Sequence, residues 1–339
     1  MAPDLPWDPV HPAPATPVTH FRPYRNSDSP ELAALWNRGA PSSSVARPLT
    51  TYEFDSQVLG GPCFEAAGLT VAEREGRLIG FAHAGFGPAS SSSRPLHLAH
   101  DMGAVGMLVV EPSIDDPALE DGLLAASERF LFSRGAKVLY AGGQYPLNPF
   151  YWGVYGGSEW AGILGAHDVF HRTVNRAGYE PVSDTVLMEI DLSDPESRDS
   201  RGLLVRRQTH VEVTDDPMPA SWWDNLAIGE FRSTLYRLLS RSDHGEYARA
   251  TTWDMAWFSR VDGRPRIGLI AVEVHQDHRR KGYGRYLLSE ILKQAREQVT
   301  AIVAVQTSAT NTAAVGLYES LGFQPVESAT LYRRPGGTR

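Results

Sequence analysis

Cysteine is almost missing from this chain: Cys63 stands alone among 339 residues. An internal disulfide framework is therefore excluded. With no CxxC partner in Gly61-Pro62-Cys63-Phe64, the thiol reads as structural rather than nucleophilic. Lysine is nearly as scarce, because the 32 basic residues include only Lys137, Lys281 and Lys293. Arginine abundance of that kind follows coding bias and does not by itself indicate phosphate binding. No run approaches the roughly 18 apolar residues of a membrane span. The start, Met1 to Val18, is Pro-rich and acidic and lacks the basic-then-apolar pattern of a signal peptide. A net charge of −8 and a pI near 5.8 argue against a duplex nucleic-acid binder, which normally carries a basic face. The expectation is a soluble, cytoplasmic protein with a disordered tail over residues 1–18, and no nucleic-acid or membrane partner.

What is present suits two globular domains: the length, and a hydrophobic content of 42% that would let each half build its own core. The polar stretch Ser193 to Gly202 reads as a linker between 19–192 and 203–335. Ser90 to Ser93, followed by Arg94-Pro95, reads as a surface loop. Two matches suggest a duplicated domain. Ala177-Gly178-Tyr179-Glu180-Pro181-Val182 parallels Leu321-Gly322-Phe323-Gln324-Pro325-Val326, and Gly106 to Glu111 parallels Gly268 to Glu273. In the second half, Phe231–Leu239 has helical spacing, and Ala250–Ser259 and Arg266–His275 are strand-like. Leu287, Leu288, Ile291, Leu292 and Ala295 form the stripe of a helix packed on a sheet. Val299–Gln306 reads as a buried strand and Thr312–Leu321 as a short helix. The alternation implies an α/β fold with parallel strands and right-handed crossovers.

Chemistry concentrates where Val272-Glu273-Val274 leads through Arg279-Arg280-Lys281-Gly282-Tyr283-Gly284-Arg285 into that helix. Two glycines at i and i+2 let the backbone turn tightly and approach a ligand. The first helical N–H groups have no internal partner, and the helix dipole adds positive potential, so the place suits a pyrophosphate. Four basic residues at a helix N-terminus, where the dipole disfavours them, call for an anion. The dinucleotide fingerprint fits less well, for want of a third glycine and a downstream acid, and the Walker pattern is absent.

Arg279-x-x-Gly282-x-Gly284 matches the (Gln/Arg)-x-x-Gly-x-(Gly/Ala) signature of the GNAT superfamily of N-acetyltransferases. Asn311-x-x-Ala314-x-x-Leu317-Tyr318-Glu319-Ser320-Leu321-Gly322-Phe323 resembles that family's second landmark. The resemblance covers about 70 residues and implies a mixed α/β sheet flanked by helices, with acetyl-CoA as co-substrate and no metal. It implies a cofactor site of Val272, Glu273, Val274, Arg279, Arg280, Lys281, Gly282, Tyr283, Gly284, Arg285, Asn311 and Tyr318. It also implies direct acyl transfer to a primary amine of a small molecule or peptide, with a backbone amide of the Val272–Val274 strand serving the thioester carbonyl. Tyr318 matches the family's general acid, although packing beside Leu317 and Leu321 would also explain it. Relatives that carry a strand Glu as base are matched here by Gln306, which cannot accept a proton. Glu273 and Asp254 remain as candidate bases, Glu273 equally as a structural acceptor, and relay through water is open. His275 and His278 read as loop histidines. A non-catalytic acyl-CoA-binding protein is the alternative.

If the first half is a second copy, its cradle is lost: Pro112 to Gly122 retains one glycine, no basic residue, and Asp115, Asp116, Glu120 and Asp121. Val174 stands where Tyr318 would. The layout, a degenerate copy before an active one, resembles tandem GNAT proteins such as mycothiol synthase. The segment Gly142 to Trp160 interleaves aromatics with Gly and Pro, and either lines a ligand cleft or closes a core.

Overall fold

The computed structural model describes residues 18–41, 44–89, 97–143, 147–159, 161–193, 203–219 and 231–335. All but the last residue of the expected tail, the Ser90–Ser93 loop and all but the first residue of the 193–202 linker lie outside them.

Thirteen strands among these residues join into one sheet. In chain order they are β1 (His20–Pro23), β2 (Leu69–Arg74), β3 (Arg77–Gly85), β4 (Met102–Val110), β5 (Val138–Ala141), β6 (Ile163–Leu164), β7 (Glu180–Asp191), β8 (Thr209–Asp215), β9 (Ser233–Ser240), β10 (Glu246–Asp254), β11 (Arg266–Val274), β12 (Ile302–Ser308) and β13 (Gln324–Arg333). The helices are α1 (Ser29–Gly39), α2 (Thr51–Phe54), α3 (Pro117–Ser133), α4 (Asp168–Arg176), α5 (Leu203–Gln208), α6 (Ala256–Ser259), α7 (Tyr283–Glu297) and α8 (Thr312–Ser320).

The two halves repeat one pattern. β4 lies antiparallel to β3 and parallel to β5, with α3 crossing between β4 and β5, and β11 lies antiparallel to β10 and parallel to β12, with α7 crossing between them. The Gly106–Glu111 and Gly268–Glu273 matches therefore fall on corresponding strands. β4 is buried from Gly103 to Val110, which is why it reads as a continuous apolar run: both faces are covered.

The sheet does not divide where the sequence does. Its order is β1-β2-β3-β4-β5-β13-β7-β12-β11-β10-β9-β8. β7, which ends the first half, pairs along its length with β12 of the second (Asp191↔Ile302 through Thr185↔Ser308). β13, which ends the second, pairs with β5 of the first (Tyr332↔Ala141) and with β7. The halves thus exchange their last strands. Each half has a cluster largely its own, and a third is shared between them. Phe54, Phe81, Tyr151 and Trp152 from the first half cluster with Trp253, Met255, Phe258, Ile270 and Ala304 from the second.

Local expectations hold for α7, whose stripe Leu287, Leu288, Ile291, Leu292 and Ala295 is buried against the sheet, and for β11, β12 and α8 to within a few residues. Phe231–Leu239 is a correction: Ser233–Ser240 is strand β9, with Tyr236 and Leu238 buried two apart. Sheet pairing with β8 and β10 on both sides overrides the helical spacing. Ala250–Ser259 is likewise strand only to Asp254, then turns into α6.

Candidate active site

β11 and β12 pair only from Arg266↔Ile302 to Leu269↔Val305 and then part. β11 stays with β10 as far as Val274↔Ala248. Between Thr251↔Ile270 and Arg249↔Glu273 the β11 strand carries one extra residue, a bulge at Ala271 with φ +51°. Such bulges turn the backbone away from its ladder. The amide of Ala271 is accordingly aimed at a side chain, the carboxyl of Glu159.

At the end of β11 the chain passes through a short 3-10 turn, Gln276–His278, and enters α7 at Gly282, φ +85°. No side chain caps that helix, so its first N–H groups have no partner within it. Gly284 packs directly beneath the strand: a Cβ there would lie 2.9 Å from Val274 Cγ2. The two glycines thus serve different needs, Gly282 the left-handed turn and Gly284 the close approach of helix to strand.

The basic cluster divides by function. Arg280 and Lys281 are exposed at the turn. Arg279 folds back so that its Nε donates to the Val274 carbonyl at 3.1 Å. Arg285 points away, donating to the Ser320 carbonyl at 2.8 Å where α8 ends. There it meets the negative end of a helix dipole rather than the cradle. The Tyr283 ring is buried against Tyr247, with centroids 4.8 Å apart, so only its backbone faces the cradle. His278 stacks on Tyr247 at 3.9 Å, a packed loop histidine. Asn311 caps α8, its Oδ1 accepting from Ala314 N at 3.2 Å.

Tyr318 projects from α8 into the core beside Phe323, only 4% exposed. Burial first, and the nearby Glu159 charge second, push its phenol up to about 12. It therefore remains a proton donor throughout the neutral range.

The candidate bases named from sequence are not brought to Tyr318. Glu273 lies on the outer face of β11 and is paired with Arg249 at 2.7 Å. Val272 and Val274, alternating with it, pack inward against the core. Asp254 pairs with Ile267, near the opposite end of β11 from the cradle. The carboxylate that does reach the parted strands is Glu159, from the first half. Sequence reasoning missed it, although it is the sole acidic residue in the aromatic segment from Gly142 to Trp160. Nothing local announced it, because its surroundings come from residues far along the chain, in β10, β11 and β12.

Those surroundings hold 156–159 firmly. Gln306 of β12 donates through Nε2 to the carbonyl oxygens of Gly156 and of Glu159, the latter at 3.0 Å. Trp253 of β10 donates to the Ser158 carbonyl at 2.9 Å. A Cβ on Gly268 would meet Trp253 Nε1 at 2.4 Å and Ser158 Cβ at 2.9 Å, so the segment lies directly on β11. Gln306 is thus a buried strap. Its Oε1, and the Oγ of Ser158, are buried with no hydrogen-bond partner among the described residues.

The corresponding places in the first half are filled. Asp116 caps α3, its Oδ1 accepting from Ala118 N at 3.0 Å and Leu119 N at 3.3 Å, so a carboxylate already occupies that helix start. Glu120 is fully buried and held by Arg172 and Arg176. Burial alone would raise its pKa, but the two guanidinium groups outweigh it and the net shift is downward. Beyond the β4–β5 pairing, Asn148 packs on Gly106 and Phe150 on Gly85. Tyr151 stacks on Trp36 at 5.6 Å, and Trp152 meets Trp253 at 4.6 Å. The described part of the aromatic segment closes the core and joins the halves.

A split parallel pair, a strand bulge and an uncapped Gly-x-Gly helix start thus meet at one end of β11. The family described as "Acetyltransferase (GNAT) family" matches residues 206–323 of this chain. A curated relative, the [Ribosomal protein bS18]-alanine N-acetyltransferase of Escherichia coli K12, is 38% identical over 65 residues, 19% of this chain. The chain spans 42% of that relative's length. Among solved structures, the GCN5-related glucosamine N-acetyltransferase region of a fungal multi-domain GH3 beta-N-acetylglucosaminidase aligns with TM-score 0.69 at 15% identity, covering 96% of this chain and 39% of that one. A tandem GNAT protein from the clavulanic acid biosynthesis pathway, solved without AcCoA, aligns with TM-score 0.63 at 14% identity, over 95% of this chain and 100% of that one. At these identities the structures show the fold: a mixed α/β sheet in the tandem GNAT arrangement.

Proposed function

We propose that the chain is an acetyl-CoA-dependent N-acetyltransferase acting on a primary amine of a small molecule or peptide, with its active site in the second half. The observation that carries this reading is the Gly282-x-Gly284 turn, uncapped and closely packed under β11, beside strands that part at Leu269 and Val305. Residues 203–335 are the catalytic portion and 19–192 the degenerate one in this proposal.

The residues fit acetyl-CoA by their own chemistry. The free N–H groups at the start of α7, with Arg280 and Lys281, suit a pyrophosphate. The inner edge of Val272–Val274 supplies backbone groups for a pantetheine arm, and Ala271 N–H, which here meets the Glu159 carboxyl, is the amide donor that turns to a carbonyl oxygen as negative charge develops on it. Acetyl-CoA supplies the activated acyl group as a thioester. Tyr318, protonated at neutral pH, donates to the sulfur that departs.

Calorimetry with acetyl-CoA and a thiol-release assay against glucosamine, spermidine, an alanine-initiated peptide and tyramine test the reading. Binding together with amine-dependent release is expected, and Tyr318→Phe should bind equally while releasing thiol about a hundredfold more slowly. Binding without release for any amine would instead mark a non-catalytic acyl-CoA-binding protein.

A further inference from the structure

We infer that Glu159, carried by the first half, is the general base of the second half's acyl transfer, so that the degenerate copy completes the active site. The inference rests on the acetyltransferase reading above and adds the residue that reading leaves open. Geometry carries it. The segment 156–159 is strapped by Gln306 from β12 and by Trp253 from β10, and lies on β11 at Gly268. Its carboxyl accepts from Ala271 N–H at the bulge and is near enough to Tyr318 for its charge to act on that phenol. Two unpartnered buried polar atoms, Ser158 Oγ and Gln306 Oε1, belong to this segment and to the side chain that straps it. Buried polar atoms of this kind are ordinarily satisfied by water or ligand.

The electrostatics agree. Burial raises the Glu159 carboxyl to about 7, against the lowering effect of Ala271 N–H. Among the described residues, the titratable group on which its charge acts is Tyr318 of α8; Gln306, Trp253 and the Ala271 backbone are uncharged. A base poised near the working pH is the most effective kind.

The step balances within the groups named. The C–N bond forms as the amine attacks the thioester carbon, and the C–S bond breaks. The excess ammonium proton passes to the Glu159 carboxylate, the Tyr318 proton to the leaving sulfur. Glu159 then loses its proton to solvent, and Tyr318 regains one.

The test uses the full chain with Glu159→Gln and Glu159→Asp, and acetyl-CoA with the four amines above. Wild-type kcat should rise with pH through a midpoint above the value of about 7 in the ligand-free protein, since kcat reports the carboxyl in the bound complex. Glu159→Gln should lose that limb and fall about a hundred- to ten-thousand-fold, while Glu159→Asp keeps the limb at reduced height. Independently of turnover, calorimetry at pH 7 in two buffers of different ionisation heat should show proton uptake on acetyl-CoA binding that Glu159→Gln lacks. The carboxyl gives up its Ala271 hydrogen bond on binding, which raises its affinity for a proton. Full kcat with an unchanged profile in a Glu159→Gln protein that melts like wild type would overturn the base role and leave the acetyltransferase reading standing. A wild type that neither binds acetyl-CoA nor releases thiol would overturn both.

Discussion

Replacing Gly284 by alanine tests the cradle with the smallest possible perturbation. The added methyl would sit 2.9 Å from Val274 Cγ2, whereas ordinary contact begins near 3.4 Å, so strand end and helix start must separate by about 0.5 Å. Leu317 Cδ2, at 3.7 Å, limits escape on the other side. Overpacking of this kind costs about 1–3 kcal/mol. Alanine's better helix propensity returns up to about 1 kcal/mol. Net stability should therefore fall by no more than about 3 kcal/mol, and thermal melting by only a few degrees. The displacement, however, falls between the uncapped amides of α7 and the Val272–Val274 edge, the two surfaces that would grip the ligand together. Acetyl-CoA affinity should drop by about ten- to a hundredfold, the equivalent of 1.4 kcal/mol per decade. Val274→Ala in the same chain removes the colliding methyl, and the double variant should recover most of the loss. Unaltered affinity in Gly284→Ala, or no recovery in the double variant, would refute the argument from close approach.

Gln306→Ala leaves the Gly156 and Glu159 carbonyls without their donor, a cost of about 1–3 kcal/mol. It should lower kcat while sparing acetyl-CoA affinity, because the strap holds 156–159 and not the cradle; steady-state kinetics beside calorimetry would separate the two. Glu53 of α2 pairs with Arg260 at 2.6 Å, tying the halves together. The Arg260 hydrogen bonds, working against burial, lower its carboxyl from 4.5 to about 2. Above pH 4.5 it is ionised folded or unfolded and the pair contributes fully. As pH falls from 4.5 to about 2 the unfolded chain takes up the proton first, and that contribution is lost. Glu53→Gln should lower urea stability at pH 7 by about 1 kcal/mol, since Arg260 is partly solvated, and should flatten the acid-side loss over that window.

Features set by short spacing were legible in the sequence. The α7 stripe, the Gly282-x-Gly284 turn, the Asn311 and Tyr318 landmarks and the repeat between Gly106–Glu111 and Gly268–Glu273 need only residues a few positions apart, and each lies in the element expected of it. The sequence alone also excluded a basic cradle in the first half, where Asp116 caps the helix instead. Tertiary structure decided everything that depends on long-range pairing. Helical spacing in Phe231–Leu239 yielded to a strand because two neighbouring strands satisfy its backbone there. Arg285 and Glu273 looked alike as polar residues near the cradle, yet one is turned to Ser320 and the other to Arg249. The exchange of β7 and β13 has no local signature, since each pairs with strands more than a hundred positions away. Glu159 is the sharpest case. Its burial and its partners Gln306, Trp253 and Ala271 are assembled from strands far along the chain, and only folding brings that carboxyl to Tyr318.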